Sequence, residues 1–571
     1  MALSSMLLFS CKKMMEVNPD TKLNATQMYR NVYDADAAVI GIYGKLMSLA
    51  KQYVILNELR ADLTEVTDNS DGYLREISTH NVSANNPYAD PRPFYSLIND
   101  CNDVLKNFNI MLQSNKFKQD EYQQRYSDIG AIRSWLYLQL GIHYGSIPYV
   151  TDPLETVDAV KDQSKYPLIP FNQLLDSLIT FTQSLPFQLP YPPGTTLVTT
   201  VDGSTTGRFF IEKNILLGDL NLWKGNYTQA ATYYRQVLES TGYFVSPGTD
   251  QFYQQFRQAY ADVVNHNDLC VGYVRYKESD INSLIENNSQ GWRSMFARNQ
   301  DNLWLQQWIW VLPFNTNFAP QNPFIDLFSN NGGSYLLKPS QAAMDNWNSQ
   351  QQQNGFPFDA RGNFSYKMLN GQPVIMKYLY NYVDGTSLLP TNPLLKPGQW
   401  FLYRASALHL HFAEAANRDG RRLLAYAFLN QGIQQTFAPP SGQTDVTNYQ
   451  NTLYDVAPYN FDGRQGTYPY FRGDWYRHNG IRGCARLNSV PVVGDSTISI
   501  ENSILKEEGL ELAYEGYRWP DLVRISLRQN DPSILANAVY AKLSKDGNPQ
   551  AAAVRSKLMD PKNWYLPFKW Q

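Results

Sequence analysis

The sequence predicts a mostly α fold, in which helical hairpins form an α–α superhelical scaffold and a loop-rich lobe carries small β elements. Three observations predict it. A helix–turn–helix pattern lies over residues 215–238, and the same register returns near residues 412–432. Long stretches rich in Pro, Gly, Asn and aromatic residues separate the helical parts. With 571 residues the chain has room for several ordinary domains or one large repeat-built unit. Repeats of a contiguous solenoid would abut, so the hairpins here must stack across insertions.

The elements follow in order. Asp34 and Asp36 are good N-cap residues for a first helix, with Val39, Ile42, Tyr43, Leu46 and Leu49 at helical spacing. A second helix carries Val104, Leu105, Phe108, Met111 and Leu112. A third starts near Tyr126, sets Ile129, Ile132, Leu136 and Leu140 on one face, and stops at Gly145 ahead of Pro148. Phe171, Leu174, Leu175, Leu178 and Leu185 mark a fourth, closed by Pro186, and residues 186–207 read as a long loop. In the run 215–238, Gly218 lets two helices approach, Gly225 makes the turn and Ala230 is the small residue of the second helix. Tyr234 and Val237 follow at the expected offsets, and the run resembles a tetratricopeptide repeat. Phe412, Ala413, Gly420, Ala425, Leu429 and Gly432 repeat those offsets. Weaker versions turn at Gly145 and at Gly516, making four hairpins. Between them, residues 269–276 and 308–313 read as short strands, and residues 313–398 and 436–496 as irregular lobes of the kind that carry function. Trp308 and Trp310 alternate with Ile309 and Val311 and are assigned to the core; Trp135 and Trp223 are read as structural.

Composition narrows the function. Lys plus Arg number 49 against 52 Asp plus Glu, so the basic footprint of a nucleic-acid binder is missing. Charged residues make up 18% and aromatics 14%, which excludes a disordered chain and favours neutral polar ligands such as sugars over phosphates. Cys11, Cys101, Cys270 and Cys484 are too few and scattered for a disulfide scaffold, and the last three read as small buried apolar residues. Cys11 differs. It follows a short apolar run ending Leu8-Phe9-Ser10, too short to span a bilayer, and is followed by Lys12-Lys13 and a polar tether. This resembles a bacterial lipobox whose cysteine is lipidated, although no basic segment precedes the apolar run.

Catalytic signatures are missing: there is no phosphate-binding loop, no nucleophile elbow and no H-E-x-x-H. His409 and His411 are two apart in a predicted helix and point to different sides, so they cannot pair on zinc. Residues 68–72 resemble the start of a calcium loop, but the Gly falls one place early and Thr79 stands where a bidentate Glu belongs, so a polar turn is expected, with adventitious calcium the remote alternative. Glu507, Glu508 and Glu511 lie on a predicted helix and read as a solvated or ion-paired face.

The C-terminal run from Glu507 to Arg524 (EEGLELAYEGYRWPDLVR) resembles the signature of SusD/RagB proteins. Further stretches match in the same order: Arg133–Tyr137 through Tyr144–Pro148, Leu327–Ser329 leading to Pro339-Ser340, Asp359-Ala360-Arg361, Lys377-Tyr378, and Ala413–Arg418. The resemblance implies one α-rich unit: residues 1–11 a signal remnant, 12–33 a tether, and 34–571 a single unit. Within that unit, 34–260 and 401–571 carry the hairpins and 261–400 the insertion. It also implies a lipid-anchored protein on the outer membrane of Bacteroidota that captures oligosaccharide for a SusC-like TonB-dependent transporter, without catalysis and without a cofactor. Family members place ligand residues after the first helix and in the middle insertion. The candidates there are Asp71, Tyr73, Tyr88 and Phe94, then Trp292, Arg293, Trp304 and Trp347. Tyr and Trp suit a pyranose because an apolar ring face stacks on its C–H face while the polar edge hydrogen-bonds. Two alternatives stay open: a RagB-like peptide binder, and a glycoside hydrolase, which would need two facing carboxylates.

Overall fold

The computed structural model describes residues 28–569 except 157, 159, 160, 162, 202, 203, 239–274, 276–279, 290, 299–306, 318, 354, 438–455 and 461–479. Helix α1 is Val32–Met47. Its cap is Asn31, whose side chain accepts from the Tyr33 and Asp34 amides, and not Asp34 or Asp36 as expected. Asp34 sits in the first turn, where a carboxylate favours the helix dipole. Helix α2 (Ala50–Val54) continues into a π-helical turn, Ile55–Leu59. Helix α3 is Gly72–Ser78, and α4 (Arg92–Gln113) and α5 (Gln119–Tyr144) form the first long hairpin.

One expected hairpin is corrected here. Gly145 ends α5 as predicted, but strand β2 (Ser146–Pro148) follows, pairing antiparallel with β3 (Leu168–Pro170) ahead of α6 (Phe171–Ser184). The partner of α5 lies before it, in α4, because the apolar stripe of α4 needs a neighbour and the chain reverses at residues 114–118.

The hairpin α7 (Lys213–Lys224) and α8 (Tyr227–Leu238) forms as read. A Cβ at Gly218 would come within 2.3 Å of the Tyr234 ring, so the small residue is what lets the helices meet. Helices α13 (Ala405–Arg418) and α14 (Arg422–Leu429) make the next pair, and α15 (Ser496–Glu511) and α16 (Arg518–Gln529) turn at Gly516. These pairs stack in sequence: α5 on α6, α6 on α7, α8 on α13, and α13 on α15. The superhelix is thus continuous in space although the chain leaves it between α8 and α13. A last hairpin, α17 (Ser533–Lys545) with α18 (Ala551–Leu558), was not legible in the hydrophobic pattern.

The excursion holds short helices α9 (Gly291–Ala297), α10 (Pro323–Phe328), α11 (Gln341–Asn348) and α12 (Ala360–Ser365), so residues 313–398 are less irregular than expected. Strand β4 (Trp308–Phe314) pairs antiparallel with β8 (Gly398–Arg404), which runs directly into α13. Trp308 and Trp310 are buried, as read. The small pair β1 (Thr64–Val66) and β5 (Leu337–Pro339) and the hairpin β6 (Tyr366–Leu369) with β7 (Gln372–Ile375) complete the lobe. The expected strand at 269–276 falls almost wholly outside the described residues.

Candidate functional site

Two groups of residues emerge, one interior and one at the surface. The interior group explains the signature. Arg361 contacts Asp359, Glu507 and Glu511 at 2.7, 2.7 and 2.8 Å, with all four side chains fully buried. Arg404 reaches Glu511 at 3.3 Å and Glu515 at 2.7 Å; Lys377 reaches Glu515 at 2.7 Å. Arg482 takes the second oxygen of Glu507 at 2.7 Å. Buried charges survive only when paired and hydrogen-bonded. Burial alone would raise the Glu511 carboxyl, but the Arg404 and Arg361 guanidiniums outweigh it and hold it at about 2. The motifs around Asp359, Lys377 and Glu507–Glu515, far apart in sequence, therefore meet in one ionic lattice beneath the middle lobe. Of the two readings of this face, the ion-paired one holds for Glu507 and Glu511, and neither they nor Glu508 is solvated.

Glu58, on the π-helical turn, closes the same region from the N-terminal side. Its carboxylate accepts from the amides of Tyr514, Gly516 and Tyr517 at 3.1, 2.6 and 3.1 Å. Burial pushes its pKa up to about 8 against those donors.

The surface group is a shelf built on the turn after β1. The turn is tied to the β5 approach: the Thr67 amide donates to Leu336 O at 3.1 Å, and Asn69 Nδ2 donates to Ser334 O at 3.0 Å. Asp71 caps α3, its Oδ1 accepting from the Leu74 amide at 2.8 Å, while its Oδ2 accepts from Tyr88 Oη at 3.3 Å. Both carboxylate oxygens are spent on the protein, so the turn at 68–72 reads as the polar turn expected. Asn86 links the two halves, donating to Tyr73 O at 2.9 Å and capping the 3-10 turn that carries Tyr88. Gln52 Nε2 clamps that turn by donating to the carbonyls of Tyr88 and Asp90 at 3.0 and 2.8 Å. Beside the shelf, Lys51 meets Asp326 at 3.4 Å, and Asp326 also accepts from Ser334 Oγ at 2.5 Å. Burial, with the nearby Asp71 charge, pushes the Tyr88 phenol up to about 12, so it stays a neutral donor and acceptor. Tyr73 is 41% exposed and Tyr88 half-buried. The arrangement offers one open ring face, two phenols and the exposed edge of the Asp71 carboxylate, the chemistry that reads a hydroxylated neutral ligand.

The structure brings three sequence candidates together on this shelf, Asp71, Tyr73 and Tyr88. Four others are corrected, because a ring or guanidinium without an accessible face has nothing to stack on a sugar. Phe94 is 1% exposed and packs within α4. Trp292 is fully buried and donates to Glu511 at 3.4 Å. Trp347 lies under α12 and donates to Leu510 O at 3.1 Å. Arg293, 2% exposed, donates to Gly385 O at 2.7 Å and lies over the Tyr380 ring. Trp304 lies outside the described residues, as does Cys11. No tryptophan among the described residues is exposed. The sequence reading missed Asn86, Gln52 and Asp326: Asn86 is a local cap two residues before Tyr88, while Gln52 arrives from α2 and Asp326 through the loop leading into β5, long-range contacts that leave no local pattern. Two roomy concavities lie elsewhere, about 660 Å³ between α1 and α4 and about 280 Å³ beside Asn102 and Lys569, and no candidate residue lines either.

No helix among the described residues is long and apolar enough to cross a membrane. Residues 306–569 match the sequence model of the SusD family. No curated protein shows significant similarity to the chain. Among solved structures, a SusD superfamily protein from Bacteroides thetaiotaomicron superposes with a TM-score of 0.57 at 18% identity, covering 91% of this chain and 97% of its own. A SusD superfamily protein from Bacteroides vulgatus gives 0.54 at 13% identity, covering 94% and 96%. A laminarin-binding SusD-like protein gives 0.55 at 15% identity, again covering 94% and 96%. The likeness to these structures covers nine-tenths or more of the chain, and the family match over residues 306–569 spans the signature whose glutamates the ionic lattice holds; the fold is that of the SusD superfamily structures, and the C-terminal part carries the SusD family's sequence pattern.

Proposed function

We propose that the protein is a non-catalytic glycan receptor of the outer cell surface, lipid-anchored through Cys11, that passes its oligosaccharide to a SusC-like TonB-dependent transporter. The shelf of Asp71, Tyr73 and Tyr88 is its binding surface. The observation that carries this reading is an exposed tyrosine ring flanked by an oriented phenol and carboxylate, on a scaffold shared with structures described as glycan-binding. Fold alone does not assign a ligand, so the shelf chemistry bears the weight. Affinity electrophoresis against plant, host and fungal polysaccharides tests it, with laminarin first because one structural relative binds it. Retardation by one polysaccharide, without release of reducing ends and lost in Tyr73→Ala, is expected. Silence across the panel with binding to peptides would transfer the protein to the RagB-like reading, and reducing-end release would make it a hydrolase.

A further inference from the structure

One signature glutamate does not join the lattice. Glu508, on α15, is 2% exposed, and neither carboxylate oxygen finds a hydrogen-bond partner. It faces His411 on α13 and Asp521 on α16, which are 4% and 1% exposed. One ligand atom from each of the three lies within 4.8 Å of the others. His411 Nε2 and Asp521 Oδ2 also lack partners, and Nε2 stands 3.9 Å from Asp521 Oδ1. Buried polar atoms left unsatisfied together call for an explanation.

The other side of the imidazole is engaged. His411 Nδ1 lies 3.1 Å from Asp219 Oδ1 and 2.7 Å from Tyr403 Oη. A carboxylate on Nδ1 fixes the proton there and leaves the Nε2 lone pair aimed inward, the arrangement that orients metal-binding histidines. Charge points the same way. The connected ion pairs around the cluster set Asp219, Glu414, Glu501 and Asp521 against Arg418, Arg524 and Arg528, and Glu508 adds a fifth, unpaired carboxylate. The carboxylates exceed the guanidiniums by two. Arg518 does not offset this, since it is taken by Asp62. A cavity of about 50 Å³ borders the cluster, lined among others by His411, Asp521, Asp219, Tyr403 and Tyr517, with room for a water beside it.

We propose that His411 Nε2, Glu508 and Asp521 hold a divalent transition-metal ion that staples α13, α15 and α16 together. One imidazole with two carboxylates suits zinc or its first-row neighbours, whereas magnesium and calcium prefer all-oxygen sets. Ligand bonds near 2.0–2.2 Å set donor atoms roughly 3.3 Å apart, so the ion draws the three groups inward by about 1 Å.

The full chain, stripped with chelator and dialysed, is titrated with Zn²⁺ by calorimetry, and crystals soaked in Zn²⁺ are measured at the zinc edge. One equivalent per chain, an anomalous peak between the three side chains and a melting temperature that rises on loading are expected. Glu508→Gln, close in shape, should weaken binding by more than roughly tenfold while leaving the circular dichroism spectrum unchanged. If that variant does not fold, the anomalous peak on the unmodified chain still decides. A folded chain that takes up no zinc, or binds it only elsewhere, overturns the proposal and leaves protons on Glu508 and Asp521 as the balancing charge.

Discussion

The signature turn and the ligand shelf are both built from polar residues, yet they use them in opposite ways. Around Glu507, Glu511 and Glu515 every charge is interior and answered by a guanidinium or ammonium group. On the shelf, Asp71, Asn86 and Gln52 spend their hydrogen bonds holding short backbone turns at the surface, and the groups left open belong to the side chains that would meet a ligand. The lattice carries fold identity, because one wrong member strands a charge. The shelf, where we propose that ligand binds, is marginal to the fold, because its exposed side chains can change without stranding a buried charge.

That contrast can be broken at its strong end first. Arg361→Ala leaves Asp359, Glu507 and Glu511 short of their shared cation and should cost about 3–5 kcal/mol, read by chemical denaturation. A loss below about 1 kcal/mol would mean that the lattice is not what holds the lobe on α15. Acid attacks the same place. Glu511 is held at about 2 against an ordinary 4.5, so its contribution is complete above the ordinary value and drains away as pH falls from 4.5 towards 2. Melting temperature followed across that range should fall, and a flat profile would contradict the pairing. Gly516→Ala comes next. The residue sits at φ +95°, and a Cβ would lie 2.1 Å from the Tyr53 ring, so about 1–3 kcal/mol should be lost.

The shelf should respond more gently. Asp71→Ala removes the α3 cap for about 1 kcal/mol. Tyr73→Ala should change stability by no more than about 0.5 kcal/mol while abolishing retardation by the glycan that binds. A Tyr73→Ala protein that unfolds easily would erase the distinction between the two regions.

The same contrast explains what the sequence could disclose. Gly218, Gly225 and Ala230 announce their hairpin because close helix approach admits few residue types, and the recurrence near Gly420 was legible for the same reason. Glu507 to Arg524 was legible as a signature because buried ion pairs tolerate little exchange. The turn at Gly145 misled, since a helix stop looks alike whether a strand or a helix follows. Trp292 and Trp347 misled because an aromatic in a long insertion looks alike whether it faces solvent or the ionic lattice. The shelf was half legible: Tyr73 and Tyr88 stood out, but Asp326 reaches them only through the loop leading into β5, which no local pattern encodes.

Glu58 carries a consequence for how the chain reaches its native state. Its carboxylate is sealed by amides as many as 459 residues further along. Until those residues are made, the turn that carries it presents a charge with no donors, and the helices around it have no reason to close. Non-local closure of this kind is slow, because the entropy of a very long loop is lost before any contact rewards it. The N-terminal helices must therefore wait, open, for the last tenth or so of the chain, and a product truncated before Tyr514 should be a substrate for proteases and chaperones rather than a smaller folded protein.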